Sequence, residues 1–441
     1  MAKRKLTSLF RYKEITDSAL VLISNVLAQA VNFVAVMFMT KMLSVEDYGK
    51  YALLNTVLTL VADLSDMGMN ASITRFVAQY RGQNDRASEL GIIAYSLKRK
   101  LCSSALAIGL MMVFSNFLAT YVIHDSAYSV YVILVSFCAG FYLLTGLYKA
   151  VFQGRQNFKH YFLSVAVDAI VYLATVVVLY AFQALSVFTI VLASLLRSLV
   201  STVICAILVG VPIKELFSRI SGNKETVKLF NTYSRWMFLW AIFSNLQTRA
   251  DVLLLSQLTT TDQVSYYDIA NKITKPVLLV VSSYSQIMSP VFAKLNTLDK
   301  IRKKISSVKK IVLAGTGGML LAVALSGIAV RILFGNKYDN SIVPLQIMFA
   351  ALIFYIWTIP YNSALFALNK PQVFTIAAGI GLVATVIGDF LLLPAFGAVG
   401  AAFTYFIAQL IGFLVAYIGY RWAAERSTLG YGTDGGNSAE L

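Results

Sequence analysis

Carboxylate, guanidinium and ammonium groups recur in this chain inside stretches that are otherwise apolar, where each needs a reason to be tolerated. Asn25, Gln29 and Asn32 follow one another at helical spacing, so they share one face of a helix. Asn55, Thr59, Asp63, Asp66 and Asn70 form a second such stripe. Two polar stripes on consecutive helices point to a hydrated cavity. Hydrogen bonding between packed helices accounts for the amides equally well, but less readily for two carboxylates one turn apart. Asp168 and Arg197 come later, each near the middle of its apolar stretch. They read either as a structural ion pair or as part of the same cavity.

A further set lies in the second half. Arg235, Asn245, Arg249 and Asp251 share one stretch; Asp268, Asn271, Lys272 and Lys275 share one face of the next, followed by the kink residue Pro276. Arg249, Asp268 and Lys272 fall at similar depth and can neutralise one another. The basic residues Arg197, Arg235, Arg249, Lys272 and Lys275 nevertheless outnumber what a neutral bundle needs. A cationic cavity suits an anionic head group such as a pyrophosphate, so these five are candidate substrate-binding residues. Asp251, Asp389 and Thr404 come to a common depth when counted from the ends of their stretches. Oxygen donors at one depth suit a cation or a proton. With Asp63 and Asp66 they are the candidate ion-coupling residues.

Catalytic patterns are absent. There is no nucleotide-binding loop, which excludes direct ATP coupling, and no Gly-x-Ser-x-Gly or His-Glu-x-x-His. An enzyme is therefore not expected. No cofactor is expected beyond a coupling Na+ or H+, and no structural metal. Cys102, Cys138 and Cys205 lie in apolar stretches with no disulfide or zinc spacing. His124 and His160 have no partner motif and read as loop or interfacial residues.

The elements that carry these groups follow from composition. Of 441 residues, 58% are hydrophobic and 13% charged, against about 25% charged in a soluble domain. So little charge cannot cover a water-facing surface, and much of the chain must face lipid as uninterrupted helices. Apolar runs of about 20 residues or longer, rather than short alternating segments, exclude a β-barrel. They fall at 17–40, 50–74, 96–121, 127–151, 160–182, 185–211, 229–257, 263–292, 308–334, 342–367, 372–394 and 398–421. The fold class is all-α, a polytopic membrane bundle of about twelve spans. The first span is too long for a cleavable signal peptide.

The net charge of +16 invites a nucleic-acid reading, but its placement decides otherwise. Of the 37 Lys and Arg, 28 fall on one side of the bundle, among them Lys98, Arg99 and Lys100 of a loop near 75–100, four on the other and five inside spans. Such asymmetry places both termini in the cytoplasm. The charge is then a set of membrane anchors, and no nucleic-acid partner is expected. The two halves also repeat. Leu43-Ser-Val-Glu-Asp-Tyr-Gly-Lys-Tyr51 aligns with Leu258-Thr-Thr-Thr-Asp-Gln-Val-Ser-Tyr266, and Phe76-Val-Ala78 with Val291-Phe-Ala293, both at an offset of 215; Tyr148-Lys-Ala-Val aligns with Tyr361-Asn-Ser-Ala at 213. Six spans per repeat makes a parallel repeat about an axis along the membrane normal, a transporter plan with the substrate site between halves. The expected organisation is an N-terminal lobe 1–212, a cytoplasmic linker 213–228, a C-terminal lobe 229–426 and a disordered tail 427–441.

Four stretches together resemble the multidrug/oligosaccharidyl-lipid/polysaccharide exporter (MOP) superfamily, in its polysaccharide-transporter, Wzx-type flippase branch. They are Leu43 to Ala52 with Asp66-Met-Gly-Met-Asn70 and Arg75-Phe-Val-Ala78; Arg249-Ala-Asp-Val-Leu-Leu-Leu-Ser256 with Tyr266-Tyr-Asp-Ile-Ala270; Tyr148 to Phe158; and Leu391-Leu-Leu-Pro-Ala-Phe-Gly-Ala-Val-Gly-Ala-Ala402. The resemblance covers nearly the whole chain and lies in their order. It implies two six-helix lobes in a V around a cavity, working by alternating access. It implies flipping of an undecaprenyl-pyrophosphate-linked oligosaccharide (an O-antigen, capsule or exopolysaccharide unit) to the outer leaflet of a prokaryotic cytoplasmic membrane. Basic cavity residues would bind the pyrophosphate, for which Arg235, Arg249, Lys272 and Lys275 are candidates. Asp251, Asp389 and Thr404 match the sodium site of relatives, except that the family often has Asn where Asp389 stands, so a proton serves as well. Expected partners are the lipid-linked substrate, membrane lipid, a polysaccharide polymerase and glycosyltransferases; a monomer is expected. The rival readings are a multidrug antiporter of the MATE type and a polytopic enzyme of polysaccharide assembly. The intramembrane cations speak against the first, and the lack of a large loop against the second.

Overall fold

The computed structural model describes residues 2–210, 224–293, 295, 297–368 and 372–430. These residues are helical throughout, with no strand among them. The helices are α1 (Ala2–Met42), α2 (Val45–Ser65), α3 (Met69–Gly82), α4 (Arg86–Val113), α5 (Ser115–Tyr121), α6 (Ser129–Gly154), α7 (Phe158–Ala181) and α8 (Val187–Val209) in the first half. Then come α9 (Lys224–Leu258), α10 (Thr261–Ala293), α11 (Leu298–Phe334), α12 (Ile342–Ala367) and α13 (Gln372–Gly430). The expected linker falls mostly, and the expected tail beyond Gly430 wholly, outside the described residues.

Short polar caps start several of these helices. Ser44 accepts from the Asp47 amide at the start of α2, Asp85 from Ser88 at α4, and Asn157 from His160 at α7. Ser186 and Thr189 close a capping box on α8, satisfying amides that have no partner within the first turn. In the turn before α6, Asp125 takes hydrogen bonds from Lys50 Nζ at 2.9 Å and from the Ala127 amide at 3.0 Å. The Lys50 hydrogen bond is the larger cause holding its carboxyl below the usual range.

Seven helical segments among the described residues are long and apolar enough to cross a membrane, or nine if each bent pair is one span. The bent pairs are α2 with α3, at 47°, and α4 with α5, at 60°. The gap to twelve has two physical causes. First, α13 has 59 residues and as one rod would run about 90 Å, three bilayer cores. Instead Pro394 and Gly397, with φ +53° and ψ −129°, fold it back. A Cβ on Gly388 would lie 3.0 Å from Thr404 Cγ2, one on Gly400 2.5 Å from the Leu392 carbonyl oxygen, and one on Gly419 2.6 Å from Val373 Cγ1. All three pairs are centred on residue 396, so α13 is an antiparallel helical hairpin of two spans. Second, α9 and α10, at 35 and 33 residues, are long enough but carry the charged groups in question. With these counted, each of the twelve expected spans coincides with a helix.

The chain divides into two compact units, Met1–Gln257 and Leu258–Leu441. In the first, α6 is the hub: α2, α3, α4 and α8 pack on it, and α1 packs on α7. Its core includes Ile73, Phe76, Ile93, Leu147, Val151 and Phe230. In the second, α12 is the hub for α10, α11 and α13, around Val308, Ile356, Ala364, Leu365 and Tyr420. These hubs are the fourth and tenth expected spans, which carry the Tyr148 and Tyr361 segments aligned in sequence. The seventh span, α9, lies in the first unit, although the repeat assigns it to the second half. Polar contacts seat it there. Tyr80 Oη donates to Thr226 at 3.0 Å, Tyr95 Oη to Asn231 at 3.0 Å, and the Ser72 and Ser234 hydroxyls meet at 2.7 Å.

Candidate functional site

The polar stripes of the first unit meet basic residues from other helices. On α9, Arg249 donates to Asp63 Oδ2 at 2.9 Å and to Thr59 Oγ1 at 2.5 Å. Both acceptors belong to the α2 stripe, so Thr59 and Asp63, four residues apart, present two oxygens to one guanidinium. The Arg249 and Asp63 side chains are 26% and 27% exposed. This pair is reachable by a polar ligand without being dissolved in water.

A second pair lies on α7 and α8. Arg197 donates to Asp168 Oδ2 at 2.6 Å and to Asn32 Oδ1 of α1 at 3.3 Å. Its guanidinium stands 4.8 Å from the Tyr172 ring centroid, and the Tyr172 hydroxyl meets that of Tyr51 at 2.7 Å. The reading of Asp168 and Arg197 as an ion pair agrees with this geometry. The α1 stripe contributes one of its amides, Asn32, to the same cluster. Tyr142 on α6 lies within electrostatic reach of both arginine–aspartate pairs.

The third cluster has a member that sequence reasoning placed elsewhere. Lys100 belongs to a Lys98-Arg99-Lys100 run counted among cytoplasmic loop charges. The structure places it in α4, about 20 Å along from Arg86, with its side chain fully buried against Asp66. Asn70 Oδ1 at 2.9 Å and the Leu143 carbonyl oxygen at 3.1 Å complete its partners. The signal was present as periodicity: Ile93, Ser96, Leu97, Ser103, Ser104, Ala107 and Met111 share the buried side of α4 with Lys100. Its neighbour Arg99 turns to Asn231 of α9.

The remaining candidates sit as follows. Lys272 lies 3.9 Å from Asp268 one turn back on α10. Arg249, expected at their depth, pairs with Asp63 instead. Arg235 and Lys275 are exposed. Asp251 is buried in the first unit, on α9. Asp389 and Thr404 are buried in the second, at 0% and 1% exposure. The α13 hairpin makes them near neighbours, because Gly388 packs directly on the Thr404 side chain. Thr404 Oγ1 donates to the Gly400 carbonyl at 3.1 Å, which leaves its lone pairs as acceptors. The hairpin thus places a buried carboxylate one residue from the Gly388–Thr404 contact. At least three of the five intramembrane cations, Arg197, Arg249 and Lys272, thus have a carboxylate within 4 Å, so the excess of positive charge is smaller than the sequence count implies.

No curated protein sequence matches the chain. Among solved structures, it is similar to an inward-facing MATE-family multidrug-resistance transporter of the MOP superfamily, with TM-score 0.74 and 14% identity, over 92% of this chain and 96% of that one. It is also similar to the lipid II flippase MurJ in an inward closed conformation, with TM-score 0.68 and 16% identity, over 96% and 94% of the two chains. A MOP-superfamily transporter from Pyrococcus furiosus, described as having a binding pocket of reversed polarity, matches with TM-score 0.61 and 12% identity over 95% and 97%. These likenesses establish the fold. Residues 15–296, more than half of the chain, match the polysaccharide biosynthesis protein family. This multi-pass membrane protein, built on the fold of MOP-superfamily transporters, therefore belongs to the polysaccharide biosynthesis protein family.

Proposed function

We propose that the protein is a flippase that carries an undecaprenyl-pyrophosphate-linked oligosaccharide from the inner to the outer leaflet of a prokaryotic cytoplasmic membrane by alternating access. The observation that carries this reading is the polysaccharide-family match on a transporter fold. The physical task fits the polar groups described. A hydrophilic sugar must cross hydrocarbon while its polyprenyl tail stays in lipid, and guanidinium–carboxylate pairs about one-quarter exposed offer a polar lining whose charges are compensated when unoccupied. Arg249 and Arg197 would receive the pyrophosphate by exchanging their aspartates for phosphate oxygens. Arg235, Lys272 and Lys275 are further contacts. Asp251, Asp389 and Thr404 are the proposed coupling residues for Na+ or H+. Both termini would be cytoplasmic, and the protein would act as a monomer between glycosyltransferases and a polymerase.

The test is glycan export. Arg249→Ala together with Lys272→Ala should abolish the surface glycan and accumulate its lipid-linked precursor, with the protein expressed at normal levels. A normal glycan in that strain would reject the site. The second reading is a MATE-type cation-coupled multidrug antiporter, favoured by the pairing of Arg197, Arg249 and Lys272 with carboxylates. Drug hypersensitivity of a deletion strain with intact surface glycan would select it.

A further inference from the structure

The second span is broken at Asp66–Gly68, where Met67 and Gly68 both take positive φ, +49° and +68°. A break in a membrane helix frees backbone and side-chain oxygens that hydrocarbon cannot satisfy, and such breaks hold ions or polar ligands. Here the group at the break comes from the protein itself. Lys100 Nζ donates to Asp66 Oδ1, to Asn70 Oδ1 at 2.9 Å and to the Leu143 carbonyl oxygen at 3.1 Å. Three donors meet three oxygens, which is all an ammonium can offer. The other oxygen of Asp66 accepts from the backbone N–H of Asn70 at 3.2 Å. Gly146 of α6 seats the Asn70 amide: a Cβ there would approach its Nδ2 to 3.1 Å.

A carboxylate, an amide oxygen and a backbone carbonyl around one positive charge form the all-oxygen donor set that hard cations select. We propose that Lys100 is a tethered counter-cation, its ammonium filling an alkali-cation-like site at the broken second span and so withdrawing Asp66 from ion coupling. The tether makes binding intramolecular, which raises the effective concentration of the ammonium far above that of a dissolved ion at the same oxygens. Opening the pair would leave a buried ammonium and a mostly buried carboxylate uncompensated. The consequence for coupling rests on the transporter reading above; the occupied site does not.

The experiment is thermal unfolding of the purified full-length protein in choline, sodium, potassium and ammonium chloride at equal ionic strength. No transport is measured, so failure here is distinct from failure of the flippase reading. Wild type and the double variant Asp66→Asn/Lys100→Met should respond alike across the four salts. Lys100→Met alone, with its oxygens vacated, should gain saturable stabilisation of several degrees in Tm from at least one small cation over choline. A folded Lys100→Met that behaves like the double variant would overturn the proposal. So would a Lys100→Met that folds in none of the salts while the double variant folds. Cation-selective stabilisation of the wild type that the double variant lacks would overturn it without reference to the single variant.

Discussion

Arg249 shows what a hydrocarbon surround demands of a charged side chain. Its guanidinium is bound by Asp63 and Thr59 from a helix that begins about 200 residues earlier in the chain, because a carboxylate or guanidinium left alone there is costly. The pair is about one-quarter exposed, so its removal costs less than that of a fully buried pair. Arg249→Ala should destabilise the protein by about 1–3 kcal/mol by leaving Asp63 uncompensated. Arg249→Ala with Asp63→Ala should recover most of that loss in a double-mutant cycle read by thermal unfolding. Additive losses would mean that the two residues do not act as a pair. The residue types and their stripes were legible in the sequence; their partners were not. Asp63 and Arg249 are both visible as intramembrane charges, but nothing in their spacing says that they meet. Lys100 was misplaced because a Lys-Arg-Lys run resembles a loop anchor, and only the packing of α4 on α6 shows that its third member turns inward.

At the scale of elements, the breaks carry the information. Gly68 is needed at the α2–α3 break for two reasons: its φ of +68°, and an approach in which a Cβ would lie 2.6 Å from the Ser234 carbonyl oxygen and the Phe238 amide nitrogen of α9. Gly68→Ala should cost about 1–3 kcal/mol through strain and displacement of α9. Gly109→Ala, in the C-terminal part of α4 with nothing within 4 Å of its Cβ position, should cause no loss. Equal Tm values for the two variants would show that α9 does not bear on the break. The hairpin of α13 was foreseen as two spans, since an apolar run of that length cannot be one bilayer crossing. The α2–α3 break was not foreseen, because a polar stripe looks the same on a straight helix as on a bent one.

Across the whole molecule, the fold is that of MOP-superfamily transporters and the family is that of polysaccharide biosynthesis proteins, and the coupling chemistry of the proposed flippase is the open prediction. In liposomes holding a lipid-linked oligosaccharide, Asp389→Asn should lower the dependence of flipping on an imposed cation gradient while leaving basal exchange intact. Unchanged gradient dependence would remove Asp389 from the coupling set. By itself the sequence determined that the chain is a bundle of about twelve membrane-spanning helices, because the length and periodicity of apolar runs are local properties that lipid enforces one span at a time. Only the tertiary structure decided that α9 joins the first compact unit, that Arg249 answers Asp63, and that Lys100 fills the break at Asp66. Charge pairing in a low-dielectric surround depends on which helices touch, and a stripe on one helix cannot name its neighbour.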